Sequence, residues 1–119
     1  MNKKEFKADV NSAGVENRTA LHCATYENKP EALRLLLKFG ASPDAKTIHY
    51  RTPLHIACIL GEESICKILL DADASTNIQD FEKNTPVHYA AYYSNYWLIF
   101  TRRYKSVKTV IRERCRFDY

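Results

Sequence analysis

Thr52-Pro53-Leu54-His55 is preceded at a distance of 33 residues by Thr19-Ala20-Leu21-His22 and followed at the same distance by Thr85-Pro86-Val87-His88. A fixed period near 33 residues marks a stacked array of supersecondary units, none of which can bury its apolar face alone. The same shift superposes Ala8, Ala41 and Ala74; Ala24, Ala57 and Ala90; and Asn11, Asp44 and Asn77. It also superposes the pairs Leu36/Leu69, Leu37/Leu70, Phe6/Phe39 and Ser42/Ser75. Large and small positions agree together, as they must where helices pack against copies of themselves.

Each unit reads as two helices and a connector. Thr19, Thr52 and Thr85 stand where an N-cap hydroxyl accepts from an orphan helix N–H. Pro53 and Pro86 follow at the first helical position, where a missing N–H costs nothing; the first unit has Ala20 there. Leu21/Ala24 and Leu54/Ala57 are three apart and share a helix face, and alanine lets a neighbouring helix approach closely. Breaks are expected at Asn28, Gly61 and Ser94. Second helices are expected over 31–39 and 63–70, with Leu33/Leu36/Leu37 and Ile65/Ile68/Leu69 as their apolar stripes. Gly40 suits the left-handed residue that ends such a helix. Polar, turn-rich segments at 41–51 and 74–84 lead to the next unit.

These residues, in this order, resemble the ankyrin repeat from about residue 4 to residue 94. The most specific pieces are the Thr-Pro-Leu-His words, the Leu-Leu pairs and Gly40-Ala41-Ser42-Pro43-Asp44. The resemblance implies an all-α helical repeat solenoid of antiparallel helix pairs with projecting hairpin fingers. The family's finger-turn glycine is replaced by Asn17, Tyr50 and Lys83; asparagine tolerates positive φ, tyrosine poorly. The glycine after the second helix is replaced by Lys7 and Asp73. The expected organisation is an array over 1–95, with a partial unit 1–13, full units 14–46 and 47–79, and a partial unit 80–95. A divergent basic tail over 96–119 follows, in which Arg102-Arg103 stand where the earlier units have Leu36-Leu37 and Leu69-Leu70. Two full units fall short of the three generally needed for stability, which suggests a truncated form or a piece of a longer array.

The bulk properties agree with a folded protein. At 45% hydrophobic and 27% charged, the 119 residues are unlike a disordered chain, and no run approaches the ~20 apolar residues of a membrane span. Cys23, Cys58, Cys66 and Cys115 fall irregularly, so reduced thiols and a cytoplasmic or nuclear address are expected. The net charge of +4 is uneven: residues 101–119 hold seven basic and two acidic residues (+5), leaving 11 basic and 12 acidic (−1) elsewhere.

The residues bear on three chemistries. For a metal, His55-x-x-Cys58 with Cys66 is the tightest cluster, but the repeat already accounts for His22, His55 and His88 as imidazoles bonding neighbouring loop backbone. No paired Cys-x-x-Cys occurs, and no metal or other cofactor is expected. For catalysis, Gly14, Gly40 and Gly61 are too scattered for a phosphate loop, no nucleophile is marked as activated, and no enzymatic activity is expected. For protein binding, the resemblance implies contacts through finger residues and the two residues before the inter-helix break. These are Val15, Glu16, Arg18, Tyr26 and Glu27; Ile48, His49, Arg51, Ile59 and Leu60; and Phe81, Glu82, Asn84, Tyr92 and Tyr93. Eight of the fifteen are apolar or aromatic, a strip whose exposure would mark an interface, unless Ile59 or Leu60 packs under the neighbouring finger.

In the tail, Phe100, Tyr104, Val107, Ile111 and Cys115 recur at spacings of 4, 3, 4 and 4 on one helical stripe. Arg102, Arg103, Lys105, Lys108, Arg112, Arg114 and Arg116 supply its charge. Such a helix would cap the third unit, or else bind an acidic partner, nucleic acid or acidic lipid; a remnant with no fixed fold is a third reading. An adaptor role for a ubiquitin ligase is a further alternative, although nothing in residues 96–119 clearly matches the added box such adaptors carry.

Overall fold

The computed structural model describes residues 9–93. Within them lie five α-helices and no strand: α1 (Ala20–Tyr26), α2 (Pro30–Lys38), α3 (Pro53–Leu60), α4 (Glu63–Asp71) and α5 (Pro86–Tyr92). Helices α1, α3 and α5 pack side by side as one layer, with α2 and α4 behind them as a second. Each second helix also packs on its own unit's first helix. This is the all-α repeat architecture that the resemblance implies. The tail expected over 96–119, with its helix, its cap and its basic residues, lies outside the described residues.

The three words build three near-identical helix starts. The Thr52 and Thr85 hydroxyls accept from the N–H of His55 and His88 at 3.3 and 3.4 Å. The imidazole returns the bond, with Nδ1 of His22, His55 and His88 accepting from the N–H of Thr19, Thr52 and Thr85 at 3.1, 3.0 and 2.8 Å. Because Nδ1 accepts, the proton sits on Nε2. That Nε2–H donates onward to the next unit, from His22 to the Arg51 carbonyl at 3.0 Å and from His55 to the Asn84 carbonyl at 2.9 Å. One buried histidine therefore both caps a helix and pins the following finger.

The helix ends show where glycine was replaceable. Gly40 takes φ 95, and the N–H groups of Gly40 and Ala41 donate to the carbonyls of Leu37 and Leu36 at 3.1 and 3.0 Å. Asp73 makes the same closure at φ 64, with Asp73 and Ala74 donating to Leu70 and Leu69. The second helices span Pro30–Lys38 and Glu63–Asp71, one residue from the expected ends. Helix α5 stops at Tyr92, and the break expected at Ser94 lies outside the described residues.

The core runs between the layers. Leu21, Leu33, Leu54, Ile65 and Leu69 are buried, and Ala24, Ala57 and Ala90 let the first helices approach. Six of the eight residues of α3 are buried, as expected for a helix flanked on both sides and from behind. Truncating Leu54 or Leu69 to alanine should cost about 2–5 kcal/mol. Between units, Asn11 Nδ2 donates to the Gly40 carbonyl at 3.2 Å and its Oδ1 accepts from Ser42 N–H at 2.7 Å. Asp44 Oδ1 accepts from Ser75 N–H at 2.9 Å, which gives the period at 11, 44 and 77 its physical cause.

Candidate partner-binding cleft

Three fingers turn over 14–18, 47–51 and 80–84. In each, the first residue's N–H donates to the fifth residue's carbonyl and its own carbonyl accepts from the fourth residue's N–H, at 2.8–3.0 Å throughout. The fourth residue is left-handed in every case: Asn17 at φ 59, Tyr50 at 60 and Lys83 at 64. Tyr50 adopts this region despite its side chain because bonds on both sides of it fix the turn. The fingers then stack through single backbone bonds, Ile48 N–H to Glu16 O and Phe81 N–H to His49 O, each 3.0 Å.

The second and third fingers meet over Asp80, whose side chain is fully buried. Its Oδ1 accepts from the N–H of Glu82 and Asn84 at 2.9 and 3.0 Å. Its Oδ2 accepts from the Tyr89 hydroxyl and from Arg51 Nε at 3.3 Å. Burial works against the charge on Asp80, but the donors from Tyr89, the backbone and Arg51 outweigh it and hold the carboxyl below its usual range. Burial, followed by the bond to Asp80, pushes the Tyr89 phenol up. Arg51 Nη2 also reaches Glu82 Oε1 at 3.3 Å and the Tyr89 hydroxyl at 3.4 Å. Its guanidinium lies 5.8 Å from the ring centres of both Phe81 and Tyr89.

Above this knot opens a cleft of about 450 Å³, lined by Arg51, Ile59, Glu82, Asn84, His88, Tyr89, Tyr92 and Tyr93. Tyr92 is 80% exposed and Tyr93 48%. Their rings meet edge to face at 5.0 Å, and Tyr93 stacks on Tyr89 at 6.4 Å. The aromatic wall is thus anchored to the buried carboxylate through Tyr89.

Six of the fifteen residues singled out by sequence come together in this cleft: Arg51, Ile59, Glu82, Asn84, Tyr92 and Tyr93. Ile59 is half-buried and divides itself between cleft and core, whereas Leu60 is exposed. Phe81 is exposed on the finger and packs its ring 5.3 Å from His49. Val15, Glu16, Arg18, Tyr26 and Ile48 lie farther along the same run of fingers and first helices, and Glu27 closes α1. There, Arg18 pairs with Glu16 at 3.1 Å and lies 4.6 Å over the Tyr26 ring, while His49 Nε2 stands 3.9 Å from Glu16. Asp80, Tyr89 and His88 were not singled out. Only the combination of a carboxylate at a finger base with a phenol nine residues later could have indicated the first two.

The cluster considered for a metal is otherwise engaged. Both ring nitrogens of His55 are committed to hydrogen bonds, and the Cys58 and Cys66 sulfurs contact each other at 3.9 Å in the core. The contact with Cys58, then burial, pushes the Cys66 thiol far up. Cys23 is exposed on α1.

Comparison with protein families agrees with the geometry. The family described as "Ankyrin repeats (3 copies)" matches residues 40–101, and "Ankyrin repeat" matches residues 16–48. The chain belongs to the ankyrin-repeat family. Proteins built from this repeat are generally protein–protein interaction modules and typically not enzymes. No curated protein matches the sequence. Among the described residues, no helix is long and apolar enough to cross a membrane.

Proposed function

We propose that this chain is a non-enzymatic interaction scaffold or adaptor that binds a partner protein through the cleft and its flanking fingers. The observation that carries this reading is the set of exposed large side chains held in one place by buried bonds. Phe81, Tyr92 and Tyr93 stand at the solvent boundary, while Asp80, Arg51 and Tyr89 fix the backbone beneath them. Exposed tyrosines ringed by polar groups are typical of interface centres, since they bring contact area at little conformational cost. A preformed cleft also spares the ordering cost of binding. A cytoplasmic or nuclear address accompanies this reading, from the irregular cysteines.

The test is affinity capture with mass spectrometry, comparing the full chain with the triple variant Phe81→Ala, Tyr92→Ala, Tyr93→Ala. A specific interactor should disappear while helicity by circular dichroism is retained. An unchanged set of interactors would remove the cleft from consideration.

A further inference from the structure

We propose that the cleft receives a cationic side chain, arginine or lysine, from the partner protein, held between the Glu82 carboxylate and the Tyr92 ring. This rests on the partner-binding reading above and adds the chemistry of what enters.

The first unit supplies the template. There, Glu16, Arg18 and Tyr26 form a carboxylate–guanidinium–ring stack, with Arg18 3.1 Å from Glu16 and 4.6 Å over Tyr26. Two periods of 33 residues later, the same positions are Glu82, Asn84 and Tyr92. The third unit keeps the carboxylate and the ring and replaces the cation with a neutral amide. Exposure records the difference, since the Tyr26 ring under Arg18 is 41% exposed and Tyr92 is 80% exposed. The Asn84 side chain turns to the Tyr89 hydroxyl instead, at 3.4 Å.

Charge points the same way. Arg51, Asp80 and Glu82 together sum to −1, and the described residues 9–93 hold eight basic and eleven acidic residues, net −3. Asp80 is fully occupied by four donors, and Arg51 is neutralised by the two carboxylates it touches. Glu82 retains accepting capacity, with half of its side chain exposed and Arg51 reaching it at 3.3 Å. A cation entering beside Glu82 gains both a carboxylate and a ring face, whereas a phosphate or carboxylate would face net negative charge.

The experiment uses the full chain and three capped pentapeptide probes, Gly-Arg-Gly-Arg-Gly and its analogues with citrulline or glutamate in place of arginine. Binding is followed by the amide NMR shifts of residues 82, 84, 92 and 93. The arginine probe should bind saturably, and Glu82→Gln should weaken it roughly fivefold. Asn84→Arg, which rebuilds the first unit's stack in the third, should block it. Equal binding of the citrulline probe, preference for the glutamate probe, or indifference to Asn84→Arg would each overturn the proposal. The two readings separate in the capture experiment. An interactor lost in the aromatic triple variant but retained by both Glu82→Gln and Asn84→Arg would leave the cleft as the site and eliminate the cationic occupant. An interactor indifferent to all three would eliminate both.

Discussion

Lowering the pH from 7.5 to 5.5 should destabilise the array through His22 and His55. Both imidazoles are fully buried and held below their ordinary value of 6.5, chiefly by burial, although the bonds from Nε2–H to the Arg51 and Asn84 carbonyls act in the opposite direction. A histidine lowered in the folded state takes up its proton first in the unfolded chain. Its contribution is complete above the unfolded value of about 6.5 and is lost as the pH falls toward the lowered folded value. Each such group can then withdraw up to about 1.4 kcal/mol per pH unit. Over this interval the unfolded-state titration of two histidines amounts to at most about 2.7 kcal/mol. Glu62, raised by burial, works in the opposite sense but is a single group. Protonation would also turn Nδ1 from acceptor to donor, facing the Thr52 N–H at 3.0 Å. The assay is urea unfolding followed by circular dichroism at both pH values, for the native chain and for His55→Gln. The variant should be less stable at pH 7.5 and should lose about half as much on acidification. Stability that is flat or rises toward pH 5.5, or an undiminished loss in His55→Gln, would refute the assignment.

Three further outcomes follow from particular contacts. Tyr50→Gly should raise stability by about 0.5–1 kcal/mol, because glycine removes the left-handed penalty at φ 60 and gives back part of it in chain entropy; the midpoint of thermal unfolding checks this. Tyr89→Phe should cost about 2 kcal/mol at pH 7, since it removes a donor to a buried carboxylate. That loss should shrink as the pH falls below the ordinary carboxylate value of about 4 toward the lowered value of folded Asp80, where the contribution of the carboxylate disappears. Iodoacetamide should modify exposed Cys23 at least about a hundredfold faster than Cys58 or Cys66, which react only on opening of the core; peptide mapping over time reads the ratio.

The repeat made the scaffold legible because the periodic residues serve the scaffold. Thr52 and His55 reappear at 19/22 and 85/88, and the structure uses each pair to cap a helix. Asn11 and Asp44 bracket the next unit, as their period implies. The cleft was harder to read because it is made where the units differ. Asp80 stands in register with Thr47 and Gly14, and Tyr89 with Ile56 and Cys23, so neither carries a periodic signature. The bond between them depends on a finger folding back over a helix start nine residues away. Tyr50 shows the opposite effect, with a residue poorly suited to positive φ held there by a turn that its neighbours determine.

A partner protein docking in the cleft is proposed to sit against Tyr92. A photo-crosslinking residue placed at position 92, with a control at exposed Phe39 beside the end of α2, tests it directly. A discrete adduct with the captured partner is expected from position 92 and none from position 39. Equal adducts from both positions, or an adduct from position 39 alone, would contradict it.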